Sequence, residues 1–181
     1  SDLRRQRQMC IRDRKKVEGL GSEPMFVETD VTDEAAVQNM VEKTLERFGG
    51  IDVLVNNAAL WVHVPAKPIL EIEKTEWDQI LDVNINGTFL CTKAVVPHMQ
   101  ERGYGKIINI SSGRALKGQT NLLHYDTSKG AVISFTRSIA RELGVDGIRA
   151  NTIAPGGVMT DAVLAQDLSL IHISEPTRQK P

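Results

Sequence analysis

Apolar positions change period several times along the chain, and each change marks a new element. Residues 25–29, Met25-Phe26-Val27-Glu28-Thr29, read as a short strand with Pro24 before it, a usual place for proline at a strand start. A helix is predicted to begin at Asp30 or Thr32, with Asp33 and Glu34 in its first turn. Its apolar positions Val37, Met40, Val41, Leu45 and Phe48 fall at helical spacing, and Gly49-Gly50 ends it. Residues 51–55, Ile-Asp-Val-Leu-Val, are nearly all apolar, as expected of a strand covered on both faces. After a loop with Pro65 and Pro68, the pattern predicts one long helix from about Thr75 to Gln100. A strand over 106–110, a helix over about 126–143 and a strand over 148–153 complete the reading, and residues 15–21 look like the tail of a preceding helix. Strands and helices that alternate with connections this long argue an α/β domain with a parallel sheet.

The bulk numbers fit one soluble domain: 181 residues, 41% hydrophobic and 25% charged. No apolar run reaches the ~20 residues of a membrane span, and no secretory signal leads the chain. Cys10 and Cys91 suggest neither a disulfide framework nor a metal site; both are expected to be free thiols in a reducing cytoplasm. The net charge of −1 gives no reason to expect nucleic acid as a partner.

That charge is unevenly spread. Residues 1–14 carry +3 and residues 168–181 carry +1, which leaves −5 on residues 15–167. A basic arm can contact nucleic acid or membrane, but the codons suggest another origin. Residues 9–13, Met-Cys-Ile-Arg-Asp, can be written ATG TGT ATA AGA GAC, followed by AG. The reverse complement, CTG TCT CTT ATA CAC AT, encodes Leu-Ser-Leu-Ile-His-Ile, which is residues 168–173. Inverted transposon ends ligated around a DNA fragment produce such a relationship. The expectation is therefore that roughly residues 4–14 and 168–178 are translated sequencing adapter, and that residues 15–167 are a partial domain between non-native tails.

The polar residues with chemical promise fall at the carboxyl ends of the predicted strands: Asp30, Asn56-Asn57, Ser111-Ser112 and Pro155-Gly156. Ligands of open parallel sheets bind outside those ends. Tyr125 and Lys129 lie four apart on one helix face. A phenol beside an ammonium is favoured as phenolate and can exchange a proton with a carbonyl/alcohol pair. Ser112 can hydrogen-bond the same substrate oxygen, and Asn84, inside the long helix, can hold a water leading from Lys129. Each feature alone has an ordinary explanation. Ser112 can cap a turn, Asp30 can cap a helix, Asn84 competes with Asn86, and Tyr-x-x-x-Lys is often a solvated helix face. His63, His98 and His124 read as surface or loop residues, and Trp61 and Trp77 as packing residues.

Taken jointly and in order, these residues resemble the short-chain dehydrogenase/reductase family over residues 24–161. The matches are Asp30-Val31, Asn56-Asn57-Ala58-Ala59 for the family's Asn-Asn-Ala-Gly, Val83-Asn84, and Ser112 thirteen residues before Tyr125. They continue with Tyr125-x-x-x-Lys129 and with Pro155-Gly156 followed by Thr160. The resemblance implies a Rossmann-like, doubly wound parallel sheet that uses NAD or NADP on a small carbonyl or alcohol substrate. It makes Tyr125 the general acid/base, has Ser112 steady the substrate, and has Asn84 anchor a proton-relay water. Lys129 would lower the tyrosine pKa and hold the nicotinamide ribose. Asp30 and Val31 would flank the adenine, Asn57 and Ala58 would line the cofactor groove, and Val158 would meet the carboxamide through its backbone, with Pro155, Gly156 and Thr160 nearby.

The family's first strand and glycine-rich phosphate-binding turn have no counterpart before Met25, and the second and last strands are missing as well. The fold is thus expected to be an incomplete Rossmann domain. The parent protein would be a reductase, forming dimers or tetramers in the cytoplasm, while this polypeptide itself would not catalyse. Two other readings stay open: an epimerase or dehydratase of the family's extended branch, and a non-catalytic interaction module.

Overall fold

The computed structural model describes residues 17, 19, 21–61 and 64–157. Both proposed tails, together with Val158 and Thr160, lie outside them. The described chain is α/β, with three strands in the order β1-β2-β3. These are β1 (Val53–Asn56), β2 (Gly105–Ile110) and β3 (Ile148–Ile153). All pairings are parallel, with Val53 opposite Lys106 and Ile110 opposite Ile153.

Helix α1 (Glu34–Phe48) begins at Asp33, whose carboxylate accepts from the amides of Ala35 at 2.9 Å and Ala36 at 3.2 Å. Those bonds satisfy donors left free by the first turn. Gly49 stops the helix at φ 74°, a left-handed conformation that a side chain would oppose. The segment expected to be one long helix is three pieces: α2 (Lys74–Leu81), a π turn (Asp82–Asn86) and α3 (Gly87–Arg102). In the wide turn the Gly87 amide donates to the Asp82 carbonyl, five residues back. A short α4 (Arg114–Lys117) follows β2, and α5 (Leu123–Glu142) leads through a 3₁₀ turn (Leu143–Asp146) into β3.

Residues 25–29 form no strand. A strand exists only by pairing, and among the described residues β1 pairs with β2 alone. Met25 and Phe26 are consequently exposed at 37% and 50%.

One side of the sheet carries the core. Val41 of α1, Val95 and Met99 of α3, Ile107 of β2, Leu143 and Ile148 pack together, each at most 6% exposed. A polar ladder crosses the same face. The Asn56 amide donates to Asn109 Oδ1 at 2.8 Å and to Thr92 at 3.1 Å, and Asn109 donates to Thr136 at 2.8 Å. These bonds tie both neighbouring helices to adjacent strands and leave the buried amides satisfied. Among the described residues nothing covers the opposite sheet face, where Val53, Val55 and Ile153 are about half exposed. Parallel sheets are normally covered on both faces. Cys91 is a buried free thiol whose pKa is raised by desolvation.

Candidate active site at the strand ends

The carboxyl ends of the three strands meet the first turns of α5. Ser111 and Gly113 donate backbone bonds to the carbonyls of Ile153 and Pro155, both at 2.8 Å, which brings Pro155 and Gly156 beside Ser112. A Cβ on Gly113 would stand 3.2 Å from the Pro155 carbonyl oxygen, so the two loops are in close contact.

Helix α5 is pinned to the end of β2 from both directions. Lys129 Nζ donates to the Ile110 carbonyl at 2.8 Å, and Ser111 Oγ donates to the Lys129 carbonyl at 2.7 Å. Arg114 and Asp126 add a half-buried, two-point ion pair at 2.9 and 3.3 Å. This places Tyr125, only 8% exposed, next to Ser112, also 8% exposed. Lys129 Nζ lies 5.9 Å from the centre of the Tyr125 ring.

The electrostatics differ from expectation in one respect. Burial raises the Tyr125 pKa above the ordinary 10.0; a hydrogen bond with the Ser112 side chain and the Arg114 charge work downward, and Asp126 works upward. The Lys129 ammonium donates to the Ile110 carbonyl. Desolvation lowers Lys129 itself from 10.5 to about 8.

Asn84, 1% exposed, sits in the π turn, a helix defect frequent at functional sites. Its Oδ1 accepts from the Leu60 amide at 2.8 Å, and its Nδ2 donates to Ser128 Oγ at 2.9 Å and weakly to the Leu60 carbonyl at 3.5 Å. Ser128 in turn donates to the Tyr125 carbonyl at 2.8 Å. Asn84, Tyr125 and Lys129 are thus joined through Ser128 and the α5 backbone, with Ser112 alongside.

Asn57 and Ala58 follow β1 and are exposed along the edge of this site. Val31 packs on the start of α3, where a Cβ on Gly87 would lie 2.7 Å from its methyl group. Asp30 is not the helix cap. Its Oδ1 accepts from the Thr32 amide at 2.9 Å and the Thr32 hydroxyl at 2.8 Å, bonds that lower its pKa.

Several site residues escaped the sequence reading. Trp61 is not simple packing: its ring centre stands 4.6 Å from that of Tyr125, tilted by 44°. His124 is fully buried rather than on the surface, and neither ring nitrogen has a hydrogen-bond partner among the described residues. Ser128 and the Arg114–Asp126 pair carried no sequence signal, because their partners are distant along the chain.

Comparison with known proteins agrees with this fold. An uncharacterized oxidoreductase of Thermotoga maritima is 42% identical over 140 residues, covering 77% of this chain and 54% of that protein. The structure titled ElxO with NADP bound superposes with a TM-score of 0.74 at 36% identity, covering 77% of this chain and 56% of that one. An NAD+-bound xylitol dehydrogenase structure gives 0.67 at 38% identity, covering 71% of this chain and 48% of that one. The chain therefore spans about half the length of the proteins it matches. Residues 4–168 match the family model described as short chain dehydrogenase, and the chain belongs to that family.

Proposed function

We propose that the protein to which this chain belongs is an NAD(P)-dependent oxidoreductase that interconverts a carbonyl compound and a secondary alcohol. The observation that carries the reading is the joint burial of Tyr125, Ser112 and Lys129 at the carboxyl ends of parallel strands. The residues fit a nicotinamide nucleotide. Lys129 gives one of its three N–H donors to Ile110, and among the described residues the other two have no partner and can meet ribose hydroxyls. Asn57 and Ala58 directly follow β1 and are exposed, Pro155 and Gly156 lie beside Ser112, and the family resemblance assigns Asp30 and Val31 to the adenine. The related structures with NADP and NAD+ support this class of cofactor.

When bound, the nicotinamide supplies or accepts the hydride. The chain's own residues handle the oxygen and its proton. In the reducing direction Tyr125 gives its phenolic proton to the carbonyl oxygen, and in the oxidising direction it takes the alcohol proton back. Ser112 hydrogen-bonds that oxygen as charge develops on it. The Lys129 ammonium adds positive charge near the developing phenolate. Asn84 holds Ser128 and Leu60 and so fixes the walls of the site.

The test is hydride transfer by the full-length protein with NADH and NADPH against a panel of ketones. Loss of reduced cofactor matched by alcohol formed is expected with one of the two. Failure with both cofactors across the panel contradicts the reading.

A further inference from the structure

Asn84 meets Leu60 twice, at the amide and at the carbonyl. The two peptide groups that flank Leu60, in the loop after β1, are therefore both bonded to one buried side chain that is itself fixed in the π turn. The next residue is Trp61, and its ring rests on Tyr125. Tyr125 is 8% exposed, whereas Trp61 is 37% exposed. The two rings meet at a tilt, and Trp61 keeps more than a third of its surface toward solvent beside the buried tyrosine. Leu60 is exposed at 38% on the same loop. The group next to a reacting carbonyl at Tyr125 would meet an apolar, flat wall rather than a set of hydrogen-bond donors.

We infer that Trp61, on the loop that Asn84 holds, forms an aromatic wall beside Tyr125 that selects carbonyl substrates bearing a flat apolar group, aryl or alicyclic, beside the carbonyl. The inference rests on the proposed reaction at Tyr125 and adds a substrate class to it. Aromatic groups favour tilted or offset contacts at such separations, and the exposed part of the indole offers one to a ligand ring. Short open-chain ketones gain nothing comparable there.

Binding is measured on the 181-residue chain by ligand-observed NMR saturation transfer, with acetophenone and 2-butanone as probes. The chain is expected to bind acetophenone more tightly than 2-butanone. Trp61→Ala should weaken acetophenone about fivefold and leave 2-butanone unchanged, while Trp61→Phe stays within about twofold of the parent. In a Trp77→Phe background, which leaves Trp61 as the sole tryptophan, Asn84→Ala should shift the emission toward that of a solvent-exposed indole. The inference is overturned if acetophenone does not bind, if Trp61→Ala weakens both probes equally, or if it weakens neither. An unchanged emission in the Asn84 variant removes Asn84's hold on the loop from the inference. Selective acetophenone binding without any turnover by the full-length protein counts against the reaction and leaves the aromatic wall standing.

Discussion

Lys129 Nζ lies 2.8 Å from the carbonyl oxygen of Ile110 and donates its hydrogen bond there, across the junction of α5 and β2. The contact anchors the ammonium within reach of Tyr125 without pairing it to a carboxylate. Its burial therefore has a cost, and the cost depends on pH.

The folded-state pKa of Lys129, about 8, lies below the ordinary 10.5. Between these values the unfolded chain binds more protons than the folded one, so stability rises with pH. The burial penalty is fully present below about 8 and fades toward 10.5. Urea unfolding from pH 7.5 to 10.5 should show the parent gaining up to about 3 kcal/mol relative to Lys129→Met. A constant difference between the two across that window contradicts the assignment.

Tyr125 should titrate above 10.0, because desolvation is the largest influence on it. The chain has two tyrosines, so Tyr104→Phe isolates its tyrosinate absorbance. Adding Ser112→Ala removes a bond that lowers the pKa and should move the titration further up. A downward move would mean that Ser112 does not favour the phenolate.

His124 buries two ring nitrogens with no partner among the described residues. An unpaired buried polar group costs about 1–3 kcal/mol, and an apolar replacement of similar shape is near neutral or stabilising. His124→Leu should leave the denaturation midpoint unchanged or raise it. A loss above about 2 kcal/mol would instead identify His124 as a hydrogen-bonded member of the site.

The order of elements was legible because parallel strands buried in an α/β domain leave runs of apolar residues, and helices leave a 3.6-residue period. The residues at the strand ends were legible because polar groups stand out after such runs. What stayed hidden depends on contacts between distant positions. The π turn at Asn84 widens one helical turn without disturbing the apolar period on either side. Residues 25–29 have strand composition, but a strand also needs a neighbour. The burial of His124 follows from the packing of α5, and the stacking of Trp61 on Tyr125 follows from a loop held by a side chain 24 residues away. Sequence spacing puts Lys129 near Tyr125 but does not reveal the burial that raises the tyrosine pKa.

The central claim is that Tyr125 moves the proton, and the most direct measurement is steady-state kinetics of the full-length protein with Tyr125→Phe. The ring, its contact with Trp61 and its burial all survive this change, and only the hydroxyl is lost. The account predicts a fall in kcat of at least about 100-fold, with the dissociation constant for NADH or NADPH unchanged within about twofold. A variant that keeps kcat within about tenfold of the parent would contradict it.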